Sequence, residues 1–250
     1  KETTLGYRMK PLMDKLSEMS SADIESFVSR FPDLKGHWSR TVVGKLTGLG
    51  IINGMNDGKF YPQNKVQADQ FIKMAVLAMG YKVPSTSGYW AEPFIDIALS
   101  EGIIKEGEIA DYTKPLTREL MARMIVRTAM KRDEKPDDKY DQFIIGKISD
   151  YPKIDDNTKQ YVIDGYSLGL LQGSDGKFNP KNTLTRAEAA AVIIRFIDVN
   201  ERVPMRPSED EIIRTKDSLG REVEVYPNAT PELFTIAKAA QEAIPKAKAR

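Results

Sequence analysis

Cysteine is absent from the 250 residues, and histidine occurs once, at His37. The first absence excludes disulfides, thiolate zinc sites and cysteine nucleophiles. The second leaves His37 as the sole candidate for a Ser-His-Asp arrangement, and it sits beside Trp38 with no G-x-S-x-G stretch near it. No apolar run approaches the ~18 residues needed to cross a bilayer. No signal peptide is visible, because residues 1–8 lead straight into an amphipathic helix; the expectation is a cytosolic chain, or a mature or trimmed secreted one. Excess charge is missing too. Lys and Arg total 37 against 36 Asp and Glu, a net charge of +1, which gives no reason to expect nucleic acid or an anionic membrane as partner. Neither a P-loop nor an H-E-x-x-H spacing occurs. An EF-hand starting at Asn53 fails, since Met55 occupies a ligand position and Asn64 replaces the closing glutamate. The adjacent acids Asp155 and Asp156 read as a solvated pair rather than glycosidase acids. The chain is therefore expected to be no enzyme and to hold no cofactor and no metal.

What remains is an ordinary globular composition, 41% hydrophobic and 29% charged. It is organised around residues 169–196, GLLQGSDGKFNPKNTLTRAEAAAVIIRF. Gly169 suits a left-handed helix C-cap. Gly173, Asp175 and Gly176 make a turn-rich loop, punctuated by Phe178 and Pro180. Thr185 and Glu188 have capping-box spacing. Behind them Val192, Ile193, Phe196 and Ile197 recur on one helical face.

The rest of the chain varies this unit. Residues 1–30 form a helical segment: Leu12, Leu16 and Met19 share a stripe, and Ser20 or Ser21 caps a second short helix carrying Ile24, Phe27 and Val28. The first copy covers 31–82. Phe31-Pro-Asp33 and His37-Trp38 lead to Gly50-Ile-Ile-Asn-Gly54 and Asp57-Gly-Lys-Phe-Tyr-Pro62, and a helix with Phe71, Met74, Ala75 and Met79 follows. The second copy, 83–131, has Tyr89-Trp90, Gly102-Ile-Ile104 and a helix start at Leu116-Thr-Arg-Glu119, but its loop at 105–114 has lost the DGxFxP pattern. Residues 132–198 hold a charged linker and the third copy. Gly50, Gly102 and Gly169 mark equivalent points, with offsets 102 − 50 = 52 and 169 − 102 = 67, so the last interval carries an insertion. Repeats of this size stack one helix–loop–helix unit against the next. Residues 199–250 are a non-repeat tail. Within it 203–207 read as linker, 209–215 as a short helix, 221–225 as a strand, and Thr230-Pro231 as the start of a last helix to about Ala243.

Tandem copies of F-x-D, H-W or Y-W, G-I-I, DGxFxP and T-R-A-E resemble the S-layer homology family, over residues 31–198. The resemblance implies a mostly α fold, three helix–loop–helix repeats in a pseudo-threefold helical bundle, followed here by the short tail. It also implies non-covalent anchoring of an exported surface protein to a cell-wall polysaccharide, typically a polymer bearing pyruvylated amino sugar, through grooves between repeats, at the bacterial cell surface. Self-association in a surface layer is a further implied possibility. The arginine of T-R-A-E is the residue the family links to the anionic sugar: Arg186 in copy three and Arg118 in copy two. Copy one departs, with Ala68 in that place.

The residue chemistry agrees. An arginine fork can hold a carboxylate bidentately, and Arg118 and Arg186 lie just inside helix N-termini that also favour an anion. Trp38 and Trp90 hold matching positions and suit either stacking on a sugar ring or anchoring the core between copies. Gly54 and Gly173, with Gly58 and Gly176, would let backbone amides come close to a ligand, or simply form turns. Arg186, Arg118, Trp38, Trp90, Gly54 and Gly173 are thus the candidate glycan-binding residues. A helical-repeat scaffold for protein–protein contacts, without glycan binding, is the alternative reading.

Overall fold

The computed structural model describes residues 4–132 and 134–226. The helix expected from Thr230 onward lies outside the described residues. Helices dominate: α1 (Thr4–Glu18), α2 (Ser21–Val28), α3 (Arg40–Gly48), α4 (Ala68–Ala78), α5 (Glu92–Ser100), α6 (Arg118–Met130), α7 (Asp141–Lys147), α8 (Asp156–Ser167) and α9 (Arg186–Ile197). The strands β1 (Ile213–Lys216) and β2 (Glu222–Val225) form one antiparallel hairpin. The chain divides into two compact units. The first comprises Lys1–Lys135 with Pro180–Arg202, and the second Pro136–Asn179 with Val203–Arg250.

The first unit is centred on α4, α6 and α9, the second helices of the three copies. Short extended segments run into these helices, and they bond one another in a ring. The Val66 N–H donates to the Leu184 carbonyl at 3.0 Å, Leu184 to Leu116 at 3.1 Å, and Leu116 back to Val66 at 2.9 Å. The next ring is built from first-turn amides that no helical carbonyl can satisfy. Ala68 donates to Lys114 (3.0 Å), Arg118 to Asn182 (2.8 Å) and Arg186 to Asn64 (2.9 Å). One residue further on, Asp69, Glu119 and Ala187 repeat the pattern onto Tyr112, Pro180 and Pro62. The pseudo-threefold expectation thus has a backbone basis, and the second copy takes part in it despite its altered loop. The side chains of Val66, Leu116 and Leu184 plug the centre, each at most 1% exposed. Around them α4 packs on α5 and α9, α6 on α9, and α3 on α2 and α9.

The caps follow the sequence closely. Ser20 and Asp23 make a capping box for α2, and Thr185 and Glu188 one for α9. Gly50, Gly102 and Gly169 each take positive φ, at 76°, 68° and 72°, ending α3, α5 and α8.

In the second unit α7 packs on α8. Helix α7 accounts for the insertion between Gly102 and Gly169; its apolar residues Phe143 and Ile144, and Ile148 just after it, are buried but too few to show a period. Two expectations are corrected. Residues 209–215 are not a helix: one 3-10 turn, Glu209–Glu211, is followed by β1, because Ile213 and Thr215 alternate with exposed residues and pair with β2. Residues 203–207 are not a free linker either, since the Met205 N–H donates to the Tyr166 carbonyl at 2.9 Å and Pro207 is buried. Likewise, the charged stretch after α6 is fastened within the first unit. Arg202 grips Glu134 with both terminal nitrogens, and Arg132 and Arg202 both donate to the Phe196 carbonyl at the end of α9.

Candidate functional site

The loops after α3 and α8 are held by the same device. In the first unit, Asp33 of the F-x-D stretch accepts from the Phe60 N–H at 3.0 Å and the Tyr61 N–H at 2.6 Å. In the second, Asp150 accepts from Phe178 and Asn179, both at 2.8 Å. Each clamp holds a non-glycine residue in the left-handed region, Tyr61 at φ 57° and Asn179 at φ 56°. Burial of the preceding phenylalanine offsets that strain; Phe60 and Phe178 are 0% exposed.

In the first unit this loop forms one wall of a groove of about 230 Å³. Residues 51–55 make that wall, Gln70, Lys73 and Met74 of α4 face them, and Trp90 and Arg186 complete the lining. Gly54 is required because a Cβ there would lie 2.3 Å from the Phe31 ring and 2.9 Å from the Lys59 carbonyl.

Arg186 is built into the loop rather than held out as a free fork. It is 8% exposed. Its Nε donates to the Phe60 carbonyl at 2.9 Å and its Nη2 to the Asn53 carbonyl at 2.8 Å. The guanidinium lies 4.6 Å from the centre of the Phe60 ring. Burial pushes its pKa down, opposed by the charge of Asp33. Two of its nitrogens thus hold the loop, and the cation remains in the groove lining.

Lys73 is the second cation of the groove, and sequence reasoning missed it. Its Nζ lies 5.6 Å from the Trp90 ring centre and 5.8 Å from that of Phe94, and no described carboxylate pairs with it. Its signal was present: 70, 73 and 74 share one helical face, beside the apolar positions already recognised. Trp90 is 43% exposed and Trp38 is 60% exposed, so neither is a buried core anchor. Trp90 stands edge-on to Phe94, and Trp38 lies against His37 outside the groove.

The structure therefore brings together Arg186, Trp90 and Gly54 and leaves out Arg118 and Trp38. Arg118 is half-buried at the first residue of α6. Gly173 lies in the second unit, where a Cβ would meet the Lys177 carbonyl at 2.3 Å and the Tyr166 hydroxyl at 2.6 Å. Ala68 is buried at 2% exposure, its N–H against the second-copy loop. That loop carries its own fastening instead. Glu108 accepts from Arg127 at 2.7 and 3.0 Å, from Arg123 at 3.2 Å and from the Lys105 N–H at 3.0 Å. Burial works against the Glu108 charge, yet these donors hold its carboxyl below the usual glutamate range. Among the described residues no cluster of His, Asp or Glu is placed to hold a metal, and no helix is long and apolar enough to cross a membrane.

Residues 30–67 and 147–190 match the S-layer homology domain. These two stretches belong to the S-layer homology domain family. Both matched stretches contain a clamp aspartate, Asp33 or Asp150, and the unmatched middle copy is the one whose loop is held by Glu108. Several curated proteins are similar. An amylopullulanase of Thermoanaerobacterium thermosulfurigenes is 29% identical over 180 residues, 67% of this chain and 9% of that protein. The exoglucanase XynX of Acetivibrio thermocellus is 28% identical over 180 residues, 67% of this chain and 16% of that one. An S-layer protein of Bacillus licheniformis is 25% identical over 193 residues, 72% of this chain and 21% of its own length. The chain thus spans between 9% and 21% of these relatives.

Proposed function

We propose that this S-layer homology chain anchors an exported protein to the bacterial cell surface by binding a cell-wall polysaccharide non-covalently, and that the groove at Arg186 takes a pyruvylated amino sugar of a secondary cell-wall polymer. The observation that carries the reading is the convergence of Lys73, Arg186 and the half-exposed Trp90 on one groove. Two cations attract the pyruvyl carboxylate, and the indole offers a flat apolar face to the sugar ring. Backbone of the 51–55 wall adds polar groups to the groove lining.

The relatives support the same reading by their differences. Proteins named as two polysaccharide-degrading enzymes and a surface-layer protein share a segment that is a small fraction of each. A shared segment in proteins with different tasks is better suited to location than to catalysis, so no catalytic activity is assigned to this chain.

The test is retention on purified cell-wall sacculi, before and after the secondary polymer is stripped. The reading expects retention that disappears on stripping and returns with added polymer. Equal binding to stripped sacculi would remove it and favour a protein–protein scaffold.

A further inference from the structure

The first-copy loop contains the chain's sole Asn-Gly pair, Asn53-Gly54. An asparagine amide is chemically labile because the backbone nitrogen of the next residue can attack it, and glycine leaves that nitrogen unscreened for want of a Cβ. The other asparagines precede a residue with a side chain or, for Asn179, a proline that has no N–H. The third copy has Gln172-Gly173 at the matching place, and the extra methylene of glutamine makes the same ring closure slower. Local structure leaves both reacting groups of the first copy open. Asn53 is exposed and lies outside any helix or strand. Its side-chain amide and the Gly54 N–H have no hydrogen-bond partner among the described residues.

The main-chain carbonyl of Asn53, by contrast, is held. The buried Arg186 donates to it from Nη2 at 2.8 Å. Ring closure would make that carbonyl one of the two imide carbonyls of a succinimide. A donor fixed on its oxygen stabilises the charge that develops there when water adds. Opening at this carbonyl routes the chain through the former side-chain carbon and frees the former main-chain carbonyl as a carboxylate, which is isoaspartate. The bond from Arg186 to a neutral oxygen then becomes a charge-assisted one.

We infer that Asn53 is a self-modification site, converting to isoaspartate whose new carboxylate pairs with Arg186. In the first step the Gly54 nitrogen gives its proton to solvent and bonds to Asn53 Cγ. The Cγ–Nδ2 bond breaks, and the leaving nitrogen takes up a proton and departs as ammonia. In the second step water adds to the carbonyl held by Arg186, and the bond from that carbon to the Gly54 nitrogen breaks as the nitrogen regains a proton. Amide and water are thus exchanged for carboxylate and ammonium, with no change of oxidation state. The added negative charge falls in the groove lining that contains Arg186 and Lys73.

The experiment ages the whole chain in mildly alkaline buffer, folded and in urea. Conversion is read by peptide mass spectrometry and by labelling with an isoaspartyl methyltransferase; the variants are Asn53→Gln and Arg186→Lys. The expected result is the amide-to-acid mass gain at Asn53 in the folded parent, with Gln172 and the Asn53→Gln variant unchanged. The ratio of isoaspartate to aspartate at position 53 should be several-fold higher in the folded parent than in urea, and should fall back toward the urea value in Arg186→Lys. A folded parent that keeps its Asn53 amide while the urea-unfolded chain loses it would overturn the inference. So would a product ratio that is the same in the folded parent, in urea and in Arg186→Lys, which would show that Arg186 does not receive the carboxylate. No ligand enters either readout, so the outcome is independent of the anchoring reading.

Discussion

Arg186 and Phe60, 126 positions apart in sequence, are joined twice: the arginine Nε donates to the phenylalanine carbonyl at 2.9 Å, and its guanidinium covers the phenylalanine ring at 4.6 Å. The residue that the family resemblance singles out for the ligand is therefore also a fastening of the loop that forms the groove. This double role changes what its removal should do. Arg186→Ala leaves the Asn53 and Phe60 carbonyls without their donor and opens a void over a buried ring. Loss of stability by roughly 3 kcal/mol is expected, read by urea denaturation. Arg186→Lys should recover only part of it, because one ammonium cannot span both carbonyls as the planar fork does. A melting profile unchanged in Arg186→Ala would mean that the fork contributes nothing to the loop.

The clamp aspartates give a matched pair of tests. Asp33→Ala and Asp150→Ala each remove a carboxylate that accepts from two backbone amides and holds a left-handed residue in place. Each should cost about 2 kcal/mol. Replacing Tyr61 or Asn179 by glycine in the clamp-less variant should recover part of the loss, since glycine takes positive φ without strain. Failure of the glycine replacement to recover any stability would show that the clamp does not act through φ.

A half-exposed tyrosine, Tyr89, reaches the buried Asp69 in a contact that tests the join between the first and second copies. The Tyr89 hydroxyl donates to Asp69 Oδ2 at 2.6 Å, and the other carboxylate oxygen is buried without a partner among the described residues. Burial first, and then the bond to Asp69, push the tyrosine pKa up. Tyr89→Phe should destabilise by about 2 kcal/mol, since it leaves a carboxylate that is 2% exposed with no donor from that side chain. The double variant Tyr89→Phe, Asp69→Asn should be more stable than Tyr89→Phe alone. The check is a double-mutant cycle by thermal melting.

Glu108 sets an acid limit. Its folded carboxyl titrates below the usual glutamate value of 4.5: burial opposes the charge, and Arg127 and Arg123 outweigh it. A depressed folded pKa means that the unfolded chain binds the proton first as pH falls. The contribution is therefore complete above the unfolded value and is lost as pH drops through the folded one. Melting temperature should fall as pH drops below the usual glutamate value of 4.5, with Glu108→Gln less stable than the parent at neutral pH and showing a shallower fall. Parallel pH profiles for both proteins would contradict the assignment.

Much of this was legible in the sequence because short-range rules carry it. The capping pairs Ser20–Asp23 and Thr185–Glu188 and the helix-ending glycines act within a few residues, and the G-I-I and DGKF recurrences aligned the copies before any geometry was known. What was illegible is what acts between copies. Nothing local says that Asp33 serves Phe60 and Tyr61, or that Arg186 spends two donors on carbonyls 126 and 133 positions away. Lys73 was missed because a lone lysine on a helix reads as a solvated charge until Trp90 is placed beside it. The 209–215 segment was misread because four alternating residues are too few to separate strand from helix without their partner β2.

The most direct test of the anchoring account is calorimetric titration with the pyruvylated amino-sugar fragment for the parent, Lys73→Ala and Trp90→Ala, at low and high salt. Both residues are partly exposed and fasten no loop, so the melting profiles should match. The account predicts that each variant binds at the first groove roughly tenfold or more weakly, and that salt weakens parent binding only moderately because Arg186 is enclosed. It also predicts that removing the pyruvyl carboxylate from the fragment abolishes most of the binding. Variants that bind like the parent, together with a fragment that binds equally well without its carboxylate, would contradict it.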